Sequence, residues 1–368
     1  MADKKTFKVP VSTLIGSTFP NYLKIVNHKK VHHQYLSRFI LTSLISAILD
    51  PFGRVETLLK SKIVSKTKID QSPIFIIGFW RSGTTYLHNL MCQDPNHAFV
   101  STYQSIFPSH SLVNSFWMKK LATMAMPNER PVDKVRLNMD FPQEEEMALG
   151  NMQKLSFYNV FYFPNHFKEY AQNALYFKDV QQEEIDKWKD EYLLTIKKSM
   201  IMTGGKRFVS KNPPNTFRIP LLLKIFPNAR FIYIYRNPYK VLSSINLFMR
   251  QVIKGVGFQE PDTLELENNL CMLFKQSLKK YELDKSLIPQ KNLYEIEYNT
   301  LVKDPIQSIN DIYTQFNLDY SDDFSTRLAK YNSSQKQHKS GGHFVSEYLH
   351  KFIGENLVDY MNQHNYSI

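Results

Sequence analysis

The chain has 368 residues, of which 43% are hydrophobic and 22% are charged. This composition is typical of globular proteins and excludes extensive disorder. The content of 12 glycines excludes collagen-like and glycine-rich repeat proteins. The net charge of +12 predicts affinity for anions, which could be a nucleic acid, an anionic membrane or a phosphorylated ligand.

The cysteine content indicates a reducing compartment. Cys92 and Cys271 are too few for a disulfide framework, and no CxxC pair suggests a metal site. The first residues lack the pattern of a secretory signal. We therefore expect a cytoplasmic protein without a bound metal.

The N-terminal segment, residues 1–70, is predicted to form a mostly helical extension. Its longest apolar run, Phe39–Leu49, has eleven residues, whereas a bilayer-spanning helix needs about 20. We predict that this run is a core helix. An interfacial helix that makes peripheral membrane contact is the alternative.

The remainder of the chain alternates between predicted strands and helices. Apolar runs with β-branched and aromatic residues predict four strands: Pro73–Gly78, Arg207–Lys211, Ala229–Arg236 and Asn292–Tyr298. A helix is predicted from about Gly83 to Gln93, and the insert 100–205 reads as helical. Strands separated by helices predict an α/β fold with a parallel sheet, and we assign residues 1–368 to a single domain.

The segment after the first predicted strand has the features of an anion-binding loop. The strand ends at Gly78, and Gly83 lies in the tight turn that follows. Side chains with hydroxyl or guanidinium donors surround this turn: Arg81, Ser82, Thr84 and Thr85. Backbone N–H groups and the helix dipole favour an anion at a helix N-terminus. The loop differs from the Walker A motif, since no lysine precedes the Ser/Thr pair.

The run Arg81-Ser-Gly-Thr-Thr85 resembles the 5′-phosphosulfate loop of sulfotransferases that use 3′-phosphoadenosine-5′-phosphosulfate (PAPS). Many cytosolic members carry lysine where this chain has Arg81, whereas the tyrosylprotein, Golgi and bacterial branches carry arginine. The resemblance implies a P-loop-like parallel sheet flanked by helices. It also implies that Arg81 acts in catalysis and that Arg81, Ser82, Gly83, Thr84, Thr85 and Tyr86 bind the co-substrate.

The resemblance also implies a 3′-phosphate site on a later strand. In the family an arginine at a strand end and a serine eight residues later bind this phosphate, and Arg236 and Ser244 have that spacing. Tyr298 resembles the tyrosine that stacks near adenine. Lys339, with Lys336, occupies the position of a basic loop over the 3′-phosphate, although the Arg-Lys-Gly pattern of cytosolic members is missing.

Sulfuryl transfer requires a cation at the leaving oxygen and a base for the acceptor hydroxyl. Lys211 ends a predicted strand, so parallel packing would place it on the same sheet edge as Gly78 and Arg236. The sequence Lys211-Asn-Pro-Pro resembles the turn of tyrosylprotein and bacterial sulfotransferases in which the lysine acts at the leaving oxygen. A solvated lysine at a strand end is the alternative.

The base is predicted within the acidic run Glu144-Glu-Glu146. On a helical wheel Glu144 and Glu145 flank an apolar face, whereas Glu146 points away and is predicted to be solvated. Burial would raise the pKa of a carboxylate and suit a base. The alternatives are that the acids only stabilise a helix N-terminus, or that His88 or His110 is the base. The resemblance favours glutamate without identifying which.

The predicted function is transfer of a sulfuryl group from PAPS to a small-molecule hydroxyl, releasing 3′-phosphoadenosine-5′-phosphate (PAP). Aromatic residues of the insert favour an apolar alcohol such as a steroid, lipid or phenol: Tyr103, Phe107, Phe116, Trp117, Phe157, Tyr158, Phe161, Tyr162 and Phe163. The positive charge would equally suit an anionic glycan. The remaining alternatives are a kinase-like phosphotransferase and a non-catalytic protein that binds anions or membranes. Motifs for nucleic-acid binding are missing.

Overall fold

The computed structural model describes residues 10–69, 72–125, 138–334 and 345–367. Within these ranges it contains sixteen α-helices: α1 (Phe19–Val26), α2 (Leu36–Lys66), α3 (Thr84–Met91), α4 (Thr102–Ile106), α5 (Ser115–Ala125), α6 (Glu145–Met152), α7 (Phe167–Tyr170), α8 (Gln182–Thr203), α9 (Ile219–Ile225), α10 (Pro238–Val256), α11 (Thr263–Asp284), α12 (Tyr298–Lys303), α13 (Pro305–Gln315), α14 (Asp322–Ser334), α15 (Glu347–Asn356) and α16 (Val358–Gln363). Short 3-10 helices include Phe157–Phe161 and Pro213–Phe217.

Five strands form one parallel sheet: β1 (Ile74–Ile77), β2 (His97–Ala98), β3 (Arg207–Lys211), β4 (Arg230–Tyr235) and β5 (Leu293–Glu297). Their order is β2-β3-β1-β4-β5. Each predicted strand is present, and the prediction of a parallel α/β sheet flanked by helices is confirmed. The two-residue strand β2 was not predicted, because a pair of residues is too short to show any periodicity.

Two compact units make up the chain. The helical unit comprises Met1–Ile69, Phe99–Gly204 and Met249–Asp262, and the sheet unit comprises Asp70–Ala98, Gly205–Phe248 and Thr263–Ile368. The two segments predicted to be helical, 1–70 and 100–205, thus fall almost entirely within the helical unit. The assignment of one domain stays a prediction.

The sheet unit has its core between the strands and the helices on one face. Ile74 and Ile76 of β1 pack with Leu87 and Leu90 of α3, in a cluster that extends to Ile312 of α13. All four residues of β1 are buried, as a central strand of a parallel sheet requires. This packing fixes the carboxyl end of β1 and the loop that follows it.

The prediction that Phe39–Leu49 is a core helix is wrong. The run belongs to α2, a helix of 31 residues. Its side chains Ile40, Leu44 and Ile48 are exposed, and its other large apolar side chains are only partly buried. The buried positions of α2 are mostly polar and include Thr42, Ser46 and Asp50. The apolar run alone indicates a helix but does not specify which of its faces contacts the protein.

Among the described residues, one helical segment, His33–Lys66, is long and apolar enough to cross a membrane. The criterion concerns length and composition only, and core helices and signal sequences meet it as well.

Candidate active site

The loop after β1 begins at Gly78, which contacts the 3-10 helix Pro213–Phe217 and strand β4. The N–H of Gly78 donates to the Thr216 hydroxyl at 2.9 Å, and this hydroxyl lies 3.2 Å from the Gly78 carbonyl, to which it can donate. Gly78 has φ of 135°, and a Cβ there would lie 2.3 Å from the Ile234 carbonyl oxygen. Only glycine fits this position.

The turn that follows directs the chain into α3. Arg81 has φ of 67°, an uncommon left-handed conformation for a residue with a side chain. Gly83 has φ of 104° and is the N-cap of α3. The first helical donors are the N–H groups of Tyr86 and Leu87, which both donate to the Gly83 carbonyl. The N–H groups of α3 that come before Tyr86 have no acceptor within the helix, and such groups at a helix N-terminus are suited to binding an anion.

The hydroxyl residues of this loop have different environments. The Ser82 side chain is buried and donates to the Phe79 carbonyl at 2.6 Å, so it stabilises the turn. Thr84 is buried and Thr85 is partly exposed. Tyr86 donates to the Asn332 side chain at 3.3 Å, and burial raises the pKa of its phenol to about 12.

The two motifs, about 150 residues apart in sequence, meet in the structure. The guanidinium Nε of Arg81 donates to the Ser244 hydroxyl at 2.9 Å. Arg236 lies beside them, with its Nη1 donating to the Arg81 carbonyl at 3.4 Å. Ser244 lies in the first turns of α10, and Arg236 follows the carboxyl end of β4. The sequence-predicted phosphosulfate and 3′-phosphate motifs therefore form one cluster of donors.

Electrostatics within this cluster favour a bound anion. Burial lowers the pKa of Arg236, and the neighbouring positive charge of Arg81 lowers it further, while the Tyr298 phenol acts in the opposite direction. Two guanidinium groups of like charge held in a partly buried site repel each other. An anion bound to both would relieve this repulsion.

Tyr298 contacts both motifs of the cluster. Its ring lies 4.2 Å from the Arg236 guanidinium, a cation–π distance. A Cβ at Gly83 would lie 2.2 Å from the same ring, so the loop and the ring are in close contact. Tyr298 is the first residue of α12 rather than the last residue of a strand, since β5 ends at Glu297.

Lys211 lies at the carboxyl end of β3, as the sequence predicted. Its register partner on β1 is Ile76, and it is buried. Because side chains alternate along a strand, Lys211 projects to the same face as Val209, which packs in the α3-side cluster. The Lys211 charge contributes to lowering the pKa of His88. Lys211 is therefore a buried cation on the α3 side of the sheet, and the alternative of a solvated lysine is wrong.

The two histidines considered as bases have buried surroundings. His88 is buried in α3, its Nε2 lies 3.3 Å from the Val209 carbonyl, and burial holds its pKa well below the usual range. His110 of the helical unit has Nε2 at 2.8 Å from the Leu49 carbonyl, and burial lowers its pKa as well. Both contacts belong to the packing of their units.

The three glutamates differ in exposure. Glu144 is the N-cap of α6 and is partly exposed, and its Oε2 accepts a hydrogen bond from the Tyr158 hydroxyl. Glu145 is buried and accepts from the Tyr192 hydroxyl at 2.9 Å. Glu144 is thus the one acid of this run that is not buried.

The prediction that Glu146 is solvated is wrong. Its side chain is fully buried, and its Oε1 accepts the Phe157 N–H at 2.9 Å. The Ser156 hydroxyl donates to its main-chain carbonyl at 3.0 Å. The helical wheel assumed one buried face, but α6 is enclosed on several sides.

Two predictions concern a basic loop and a metal. Lys336 and Lys339, the residues of the predicted basic loop, lie outside the described residues, so their role stays a prediction. No group of three or more His, Cys, Asp or Glu side chains that could hold a metal occurs in the described part of the chain.

Sequence reasoning missed several residues that support the site. Thr216 holds Gly78, and Phe248 lies beneath the Arg81 guanidinium at 5.5 Å from the ring centroid. Tyr158 was noted only as an aromatic residue, whereas its hydroxyl contacts Glu144. Of these residues, only Thr216 could have been found from the sequence, because it lies in the rigid turn after Lys211. The contacts of Phe248 and Tyr158 depend on tertiary structure.

Most aromatic residues of the insert belong to the core of the helical unit. Seven of the nine that suggested an apolar acceptor are buried: Tyr103, Phe107, Phe157, Tyr158, Phe161, Tyr162 and Phe163. Pairs such as Tyr103 and Phe107 pack on each other. Aromatic content is therefore explained by packing and does not specify the acceptor.

Comparisons with known proteins agree with this geometry. A family model described as "Sulfotransferase family" matches residues 73–322. Over 354 residues the chain is 26% identical to omega-hydroxy-beta-dihydromenaquinone-9 sulfotransferase Stf3 of Mycobacterium bovis, covering 96% of this chain and 90% of the relative. The same values hold for Stf3 of Mycobacterium tuberculosis.

Solved structures show the same fold. Sulfotransferase STF9 from Mycobacterium avium superposes with a TM-score of 0.70 at 17% identity, covering 94% of this chain and 90% of that one. Sulfotransferase STF1 from Mycobacterium tuberculosis superposes with a TM-score of 0.62 at 16% identity, covering 94% of each chain. The fold and the enzyme class predicted from the sequence are confirmed: the chain belongs to the sulfotransferase family.

Proposed function

We propose that the enzyme takes its sulfuryl group from PAPS and transfers it to the hydroxyl of an apolar alcohol, with Glu144 as the base. One observation supports the choice of donor above all. Arg81, Ser244 and Arg236 are joined by hydrogen bonds at the N-terminus of α3. A nucleotide that carries phosphate groups at both its 5′ and 3′ positions matches two adjacent arginines and a helix N-terminus.

The residues of the sheet unit divide the binding of this nucleotide between them. In this proposal Arg81 and the first N–H groups of α3 bind the 5′-phosphosulfate. Arg236 and Ser244 bind the 3′-phosphate, and the Tyr298 ring lies against the nucleoside. When bound, PAPS supplies a sulfuryl group attached to a phosphate that can leave. Lys211 and Arg81 stabilise the negative charge that develops on the leaving oxygen.

Glu144 removes the proton from the acceptor hydroxyl. At the same time the acceptor oxygen forms the new bond to sulfur and the bond from sulfur to the leaving oxygen breaks. Its partial exposure supports this role, because a base must reach the acceptor. The hydrogen bond from Tyr158 fixes the orientation of the carboxylate. Glu145 and Glu146, which are buried against Tyr192 and Phe157, are proposed to support α6 instead.

The apolar acceptor is proposed from the relatives. The Stf3 proteins carry the name of a sulfotransferase for an omega-hydroxylated dihydromenaquinone, which is a lipid alcohol. At 26% identity the acceptor itself can differ, so the proposal extends to hydrophobic alcohols as a class. An anionic glycan is the competing acceptor, because the net charge of +12 would attract it.

Two measurements test these proposals separately. Calorimetric titration should show that PAP binds more tightly than AMP, and equal affinities would contradict the assignment of PAPS. Incubation with labelled PAPS and either a long-chain isoprenoid alcohol or a heparan-type glycan should label the alcohol. Label in the glycan alone would refute the acceptor class but not the donor.

We also propose a cytoplasmic location and catalysis without a metal. Cys92 and Cys271 are both free thiols, which suits a reducing compartment. The cations Arg81 and Lys211 can supply the positive charge that a metal would bring. A cytoplasmic location predicts that protease added to intact cells leaves the protein uncut, and finding the protein in an exported fraction would contradict it.

A further inference from the structure

Helix α2 is amphipathic, but its buried positions are mostly polar and its exposed face is apolar. Its large apolar side chains point to solvent and recur every third or fourth residue, and we call them the apolar face: Leu36, Ile40, Leu44, Ile48, Phe52, Val55, Leu58, Leu59 and Ile63. With a rise of 1.5 Å per residue the face is about 40 Å long. A contiguous exposed surface of this size usually marks an interaction site.

The opposite face of α2 anchors the helix to the helical unit through polar groups. Ser46 donates to the Ser17 carbonyl at 2.9 Å, and Asp50 accepts from the Phe19 N–H at 3.1 Å. Glu56 accepts from three consecutive backbone N–H groups just before α5, those of residues 112–114, at 3.0, 2.8 and 3.3 Å. It also pairs with Lys198 at 3.5 Å, and both side chains are buried. These contacts fix the apolar face toward solvent.

The exposed charged side chains of α2 itself have one sign. The two acids of α2, Asp50 and Glu56, are both buried. The exposed charged side chains of α2 are all basic: Arg54, Lys62 and Lys66. An exposed apolar stripe on a helix whose own exposed charges are all basic is complementary to a bilayer with anionic headgroups.

A second exposed apolar cluster adjoins this face. Helix α5 exposes Phe116, Trp117, Leu121 and Met124, and Phe116 is 92% exposed. The rings of Phe52 and Trp117 are in edge contact at 6.0 Å between centroids, which joins the two helices. Tryptophan and phenylalanine beside lysine are typical of the membrane interface.

We propose that the apolar face of α2, with the adjoining residues of α5, binds in the plane of an anionic lipid bilayer. The helix lies on the membrane and does not cross it. Crossing would take Asp50 and Glu56 from their hydrogen bonds into hydrocarbon, which is costly for charged groups. The inference is independent of the proposed donor and acceptor, because binding to vesicles requires neither nucleotide nor turnover.

Vesicle flotation with the full-length protein tests the proposal. Wild-type protein should bind vesicles of equal parts phosphatidylcholine and phosphatidylglycerol more tightly than vesicles of phosphatidylcholine alone. The double variant Ile48→Glu/Leu59→Glu should weaken binding by about a hundredfold. Leu283→Glu on α11 is the matched control, since Ile48, Leu59 and Leu283 are 64%, 65% and 63% exposed. Circular dichroism and PAP binding check that every variant is folded.

A separate variant tests how much the basic side chains of α2 contribute to vesicle binding. Lys62→Gln/Lys66→Gln should weaken binding to the anionic vesicles by about fivefold per lysine. Binding to phosphatidylcholine alone should change little. A salt titration should weaken the anionic binding in parallel. Equal loss on both kinds of vesicle would contradict the role assigned to the two lysines.

Trp117 reports whether the predicted surface contacts lipid. The other two tryptophans, Trp80 and Trp188, are buried. Lipids with brominated acyl chains should quench the fluorescence of the wild type, and Trp117→Phe should abolish most of this quenching while vesicle binding persists.

Several outcomes would overturn the proposal. One is wild-type protein that binds neither vesicle, and another is an Ile48→Glu/Leu59→Glu variant that binds as the wild type does. Protein that resists extraction from vesicles at alkaline pH would indicate a spanning helix. A wild-type dimer that this variant dissociates, without vesicle binding, would assign the face to a second copy of the chain.

Discussion

Replacing Arg236 with alanine should remove the preference of the enzyme for a 3′-phosphorylated nucleotide. Arg236 is partly buried, donates to the Arg81 carbonyl at 3.4 Å and stacks on Tyr298 at 4.2 Å. It is thus held in place before the nucleotide binds. A hydrogen bond to a charged group contributes about 1.5–3 kcal/mol, so the Kd for PAP should rise about 10- to 150-fold.

The assay is calorimetric titration of each variant with PAP and with AMP. AMP lacks the 3′-phosphate, so Arg236→Ala should leave its affinity nearly unchanged. Arg236→Lys should be intermediate, because lysine retains the charge but loses the planar fork of donors. Arg230→Ala is the matched control, since Arg230 lies at the opposite end of β4. It should keep the selectivity of the wild type.

The refuting result is a folded Arg236→Ala protein that still discriminates PAP from AMP as the wild type does. The second motif would then have no part in nucleotide recognition. A loss of affinity for both nucleotides by equal factors would also contradict the reasoning, because it would indicate a general disturbance of the loop.

Lys211→Ala should lower kcat by about 100-fold or more, because charge on the leaving oxygen develops in the transition state. The Kd for PAP should change little. Single-turnover kinetics measure the first effect and calorimetry measures the second. Glu144→Gln should likewise bind PAP normally and lose turnover, and full turnover in this variant would remove Glu144 as the base. Glu146→Ala should lower the thermal stability, because it removes the acceptor of the buried Phe157 N–H. Gly83→Ala should weaken PAP binding, because a Cβ would lie 2.2 Å from the Tyr298 ring and φ is 104°; unchanged affinity would show that the ring moves freely. Turnover should survive a metal chelator, and restoration of lost activity by Mg²⁺ would contradict catalysis without a metal.

The sheet and the phosphate loop could be predicted because their signals are local. A short buried strand, a glycine and a group of hydroxyl residues lie together between Ile74 and Thr85. The position of Lys211 followed from one general property of parallel sheets, since their carboxyl ends lie on one edge. The meeting of Arg81 with Ser244 could be expected only from the resemblance to sulfotransferases.

Which side of each helix is buried could not be predicted as well as the strands and the phosphate loop. The wheel placed Glu146 in solvent, but contacts with Ser156 and Phe157 enclose that side of α6. The apolar run in α2 was assigned to the core, whereas the polar face of that helix contacts the protein. In both cases hydrophobicity identified a helix, and only the distant residues packed against it determined which side is buried.

The most direct test of the account is an experimental structure of the enzyme with PAP bound. We predict that the 3′-phosphate lies within hydrogen-bonding distance of Arg236 and Ser244. The 5′-phosphate should lie at the N-terminus of α3, beside Arg81. A nucleotide bound elsewhere, or one whose 5′-phosphate contacts Arg236, would contradict the assignment of the two motifs.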